Sequence, residues 1–92
     1  MNDRKTVAAL DTNGRLSWFP VDRAQVWQAT TIEGGALYRA GNHWVLQASG
    51  VDALKGDPAR VVEPDEALRW LVVNGYLPPN ELAEVAERCR LV

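Results

Sequence analysis

Two alternating runs meet at Gly41-Asn42 within the stretch 34–50, GGALYRAGNHWVLQASG. Glycine and asparagine both tolerate the positive φ of a two-residue turn, so the spacing predicts an antiparallel hairpin. Ala40 then opposes His43, Arg39 opposes Trp44, Tyr38 opposes Val45 and Leu37 opposes Leu46. Leu37, Trp44, Leu46 and Ala48 share one face, with Arg39 placed to lie over the Trp44 ring, and this is the expected core face. Ala36, Tyr38, His43, Val45 and Gln47 fall on the other, a mixed set such as an exposed sheet surface carries. A one-residue slip would exchange the two faces, and the apolar pattern opposes it.

The rest of the chain supplies strands before this hairpin and helices after it. Residues 5–10 read as a strand, 11–14 (DTNG) as a turn, and 15–19 (RLSWF) as a returning strand with Leu16 and Trp18 on one face. Pro20 stops it. Asp22 can cap a short helix over 23–28 that sets Val21, Ala24 and Trp27 at spacing three; the same segment is compatible with a strand. Residues 51–58 read as an exposed loop and 59–62 as a short returning strand. Pro64 stands where a first helical residue belongs, Asp65 and Glu66 occupy the first turn, and Asn74-Gly75 makes a left-handed stop. After Pro78-Pro79, Leu82, Val85, Ala86 and Cys89 follow at i, i+3, i+4 and i+7. The outer face of that last helix carries Glu81, Glu84, Glu87 and Arg88, with Glu84 and Arg88 spaced for an ion pair.

The fold expected is α+β in one domain over 1–92: a small antiparallel sheet of four or five strands with two C-terminal helices packed on one face. Its expected core is Leu16, Trp18, Leu37, Trp44, Leu46, Leu68, Leu71, Val72, Leu82, Val85 and Ala86. Helix 64–74 is apolar over more than half its circumference. Either it is sandwiched between the sheet and the last helix, or it exposes an apolar edge.

Similar elements in this order mark a group of proteins. The hairpin LYR-A-GNHWVL, the preceding Asp-initiated segment with its Trp (22–27), and the closing EPDEALRWL-x-x-NGY-LP resemble small uncharacterised bacterial proteins, often found on plasmids and other mobile elements. Those proteins combine an LYR…G…WVL hairpin with an EEA-x-x-WL-x-x-NG helix. The likeness covers about residues 10–82 and rests on structural motifs, so it implies a fold and no activity. After Leu46 the chain departs from the group's Trp- and Gln-rich continuation and reads QASGVDALKGD.

Composition then narrows function. Of 92 residues, 47% are hydrophobic and 24% charged, which is ordinary for a globular protein. Ten basic and twelve acidic residues give a net charge of −2 with the signs interleaved. A duplex binder carries a basic stripe, and none is visible. A helix–turn–helix over 64–74 and 79–90 would have to insert an acidic helix face (Glu81, Glu84, Glu87) into a groove. One histidine, His43, and one cysteine, Cys89, cannot build a zinc site within a monomer. Cys89 occupies an apolar helical position and reads as a buried packing thiol, and His43 as a solvated turn-flanking residue, with a pH-sensitive contact as its functional alternative. Ser17 and Ser49 lack an elbow motif, the glycines follow no phosphate-loop spacing, and Asp65 with Glu66 is explained by the helix start. No catalytic residue, cofactor or metal is therefore expected, and the chain reads as not an enzyme.

Four tryptophans (Trp18, Trp27, Trp44, Trp70) in so short a chain either fill the core or stay exposed as partner anchors. The expected function is a protein-binding module, accessory, inhibitory or regulatory. Its candidate contact residues are Tyr38, His43, Val45 and Gln47 on the sheet face, with Trp70. A nucleic-acid-associated regulator is the alternative, and a self-associating structural protein, a homodimer, the third. A charged start with no long apolar run after it points to the cytoplasm, with no membrane partner.

Overall fold

A computed structural model describes residues 6–30, 34–47 and 59–92. Six strands lie in chain order: β1 (Thr6–Leu10), β2 (Leu16–Pro20), β3 (Ala24–Gln28), β4 (Ala36–Ala40), β5 (His43–Gln47) and β6 (Ala59–Val62). Two helices follow, α1 (Pro64–Val73) and α2 (Ala83–Cys89), the second entered through a 3-10 turn at Asn80–Leu82. The class is α+β, as expected, with six strands against the four or five expected from the sequence.

The sheet order is β2-β1-β6-β5-β4-β3, and it is mixed: every neighbouring pair is antiparallel except β1 and β6, which run parallel with Ala9 beside Ala59. The all-antiparallel sheet is thereby corrected, because β6 returns from the far side of 48–58 to pair with the first strand. The central hairpin adopts the expected register, from Ala36 opposite Gln47 to Ala40 opposite His43, and Arg39 lies 4.7 Å from the Trp44 ring centre. Gly41 holds φ +60 in its turn. The first hairpin turns on Asp11, whose Oδ1 accepts from the backbone N–H of Asn13 and of Arg15.

The segment 23–28 is a strand, not a helix. Only Val21–Arg23 forms a single 3-10 turn, and Ala24–Gln28 pairs along the whole of β4. That correction determines the architecture. Strands β2 and β3 lie at opposite ends of the sheet order yet are joined by three residues, which span about 11 Å at most. In a flat six-stranded sheet the outer strands would stand about 24 Å apart. The sheet must therefore curl and bring its outer strands toward one another. The Phe19 and Tyr38 rings, four strand positions apart, touch edge-to-face at 5.4 Å.

Curling gives two cores. On the convex side, Leu37, Trp44 and Val62 pack against Ala67, Leu68 and Leu71 of α1 and against Leu82, with Trp27, Leu46, Trp70, Val85 and Ala86 at the margin. On the concave side the sheet closes over Val7, Ala9, Ala36, Tyr38, Val45 and Ala59, with Phe19 and Val61. Alanine at 9, 36 and 59 keeps that interior narrow enough for the strands to approach, the small-and-large mixture that small barrels need.

Helix α1 ends on a Schellman motif. Tyr76 N–H donates to the Leu71 carbonyl, Gly75 N–H to the Val72 carbonyl, and Gly75 sits at φ +84. Trp70 and Tyr76 stack across it at 6.5 Å. In α2 the ion pair that forms is Glu87–Arg90, not Glu84–Arg88. Cys89, expected to be a buried thiol, is exposed, because α2 leaves the sheet after Ala86. Ala48 and the loop expected over 51–58 lie outside the described residues.

Candidate functional site

The expected docking face is not a face. Tyr38 and Val45 are buried in the concave core, and the Tyr38 hydroxyl donates to Gln47 Oε1 at 3.0 Å. Only His43, beside the Gly41-Asn42 turn, is exposed; Gln47 is half-buried. The reading of 36, 38, 43, 45 and 47 as an outer surface assumed a sheet covered on one side, whereas curling encloses that side. Trp70 is half-buried against Tyr76 and packs on the convex-side core, whereas His43 lies on the strand face of Tyr38 and Val45, so no single surface unites the five residues.

Two residues expected in the core form the surface instead. Strands β1 and β2 pair with Ala8 opposite Trp18 and Leu10 opposite Leu16, placing these four on the convex side. The helices cover that side only over the β4–β5 region and leave the first hairpin bare. Leu16 is 71% exposed, Trp18 66% and Leu10 37%. The period-2 reading of β2 was sound, but Phe19 is the inward residue and Leu16 and Trp18 point outward.

Ring contacts set Trp18 apart. The chain has seven aromatic residues. Six pair with one another: Phe19 with Tyr38, Trp27 with Trp44, and Trp70 with Tyr76. Among the described residues Trp18 alone has no ring partner. Beside the strip, Arg60 on β6 faces the same side as Leu10 and forms a two-point pair with Glu66 of α1, Nη1 lying 3.3 Å from Oε1. That hydrogen bond raises the Arg60 pKa, so the guanidinium stays charged and is already engaged.

A second apolar area lies between the helices. A groove of about 740 Å3 runs past Leu68, Val72, Leu77, Ala86 and Cys89. Val72, expected in the core, is 56% exposed here, which settles the choice left by α1's broad apolar surface in favour of an exposed edge. Among the described residues no three His, Cys, Asp or Glu side chains gather as metal ligands, and no helix is long and apolar enough to cross a membrane. No family model, curated protein or solved structure matches the chain.

Proposed function

We propose that this chain is a non-enzymatic protein-binding module, of accessory or regulatory type, that docks an apolar segment of a partner on the convex face of its first hairpin. The observation that carries this reading is Trp18, two-thirds exposed and without a ring partner, in one strip with Leu16 and Leu10. Tryptophan on a rigid element is the commonest kind of interface anchor, and a contiguous apolar strip on so small a protein calls for a cover. Arg60 and Glu66 beside it supply a polar margin of the kind that surrounds such anchors. A nucleic-acid role draws less support. Arg60, beside Leu10, is already paired, and the 3-10 turn and α2 present Glu81, Glu84 and Glu87 outward, which repels phosphate.

The test compares the wild-type chain with the double variant Leu16→Ser/Trp18→Ser, both used to capture partners from the source cells with and without nuclease. A protein retained by the wild type regardless of nuclease, and lost by the variant with its melting temperature unchanged, supports the reading. Equal capture by both chains refutes the strip as the interface. Capture abolished by nuclease replaces this reading with the nucleic-acid one. A dimer that dissociates on the double substitution would make the partner a second copy.

A further inference from the structure

The curl that encloses Tyr38 and Val45 leaves the concave side of the sheet open at one end. Between the β1–β2 turn and the β4–β5 turn a funnel of about 370 Å3 leads inward. That is the size range of small-molecule sites, and the mouth of a barrel is a frequent place for one.

Strand parity fixes what lies inside. Ala9 pairs with Ser17, Val7 with Phe19 and Val45 with Val61, all facing the concave side, so the floor is Ala9, Phe19, Val45 and Val61. Small residues stand near the opening (Ala9 opposite Ser17, and Ala40), which leaves unfilled a space that larger side chains would occupy in a closed small barrel. At the rim stand Asp11, Arg23 and His43. Asp11 is committed, its Oδ1 holding the amides of Asn13 and Arg15. Arg23 and His43 carry no ion pair or side-chain hydrogen bond among the described residues. Two donors, Arg23 and His43, thus stand above an apolar floor beside the Asp11 carboxylate, and a guanidinium fits a carboxylate through two parallel N–H bonds.

We propose that this funnel binds a small organic anion with an apolar, aromatic body and a carboxylate head. The body packs on Phe19 and Val45, and the carboxylate accepts from Arg23, with His43 as a further donor. Trp18, the anchor of the docking strip, also lines the funnel, so the test varies Arg23 and leaves Leu16 and Trp18 untouched, which lets the two readings fail separately.

The experiment is an amide NMR titration of the whole chain with 3-phenylpropionate and with its neutral counterpart 3-phenylpropanamide. The expected result is saturable shifts for the acid at Ala9, Ser17, Phe19, Ala40 and His43, with the amide weaker by about five-fold or more. Arg23→Gln, an exposed substitution that leaves the fold intact, should bring the acid down to the amide's affinity without changing the amide's. Equal binding of acid and amide to the wild type overturns the anionic head. Shifts confined to Val72, Leu77 and Ala86, or none that saturate below about 10 mM, overturn the site itself.

Discussion

Asn74 is the one buried polar side chain among the described residues, and its loss should be felt well beyond the helix it ends. Its Oδ1 accepts from the Thr30 backbone N–H at 2.9 Å, and its Nδ2 donates to the Trp70 carbonyl at 2.8 Å. The Thr30 hydroxyl donates to the Asn74 backbone carbonyl at 2.8 Å, a bond that survives side-chain removal. Asn74→Ala therefore deletes these two short hydrogen bonds, together with the longer branch, 3.3 Å, that the Thr30 hydroxyl shares with Oδ1. The Trp70 carbonyl keeps the Asn74 N–H, and Thr30 is exposed enough for water to reach its amide, so neither partner is left wholly unsatisfied. At about 1 kcal/mol each, the expected destabilisation is about 2 kcal/mol, or a fall in Tm of about 8–16 °C for a domain of this size. Thr30→Val should cost about half as much, since it removes the hydroxyl bond and keeps the amide one.

Urea unfolding followed by tryptophan fluorescence gives the magnitude, and amide hydrogen exchange gives the place. The bonds from Asn74, together with the Tyr76 hydroxyl donating to the Gln28 carbonyl at 2.6 Å, tie the end of β3 to the end of α1. Exchange at Thr30 should therefore rise more than exchange in β1. A loss below about 0.5 kcal/mol, or one with no change in Thr30 protection, would refute the clamp.

Three further outcomes follow from single residues. Gly75→Ala should cost about 1–2 kcal/mol by urea unfolding: its φ of +84 penalises any Cβ, although nothing within 4 Å would clash with one. Leu71→Ala should cost about 2–5 kcal/mol, because Leu71 is fully buried where α1 meets the sheet; a loss under 1 kcal/mol would place the helix elsewhere. Cys89 should react with a thiol reagent in native buffer nearly as fast as in urea, since it is exposed; strong native protection would contradict the position of α2.

The elements held in short local signals were legible. Gly41-Asn42 fixed the central register to the residue, and Pro64 and Asn74-Gly75 bounded α1. Leu37, Trp44, Leu68, Leu71 and Leu82 are core as expected. What was not legible is which faces are covered, because that depends on connections rather than on strand pattern. One signal was present: Ala36-Leu37-Tyr38 and Trp44-Val45 are apolar at successive positions, the mark of a strand buried on both faces. Reading Tyr38 and Val45 as half of an alternating pair set aside that run. The other signal was the short link at 21–23. A link that short ordinarily joins two paired strands; it is the observed pairing of Ala24–Gln28 with β4 rather than β2 that turns it into a curl.

The candidate surface rests on the same parity, which allows a rival explanation of Trp18 to be weighed. Tryptophan favours strands, and residues opposite one another across a pair stabilise by up to about 1 kcal/mol, so an exposed Trp can serve folding alone. Its opposite neighbour here is Ala8, the side chain least able to return such a contact. Leucine, at Leu16 and Leu10, is not among the residues that strands favour, yet both stand on the same bare face. Strand propensity would be served equally by threonine or valine, without a strip of three large apolar groups turned toward water. Folding accounts for Phe19 on the inner face of β2, where it meets Tyr38; it does not account for the alternate residues of the same strand. The proposed docking would, because it uses the face that the two helices leave bare.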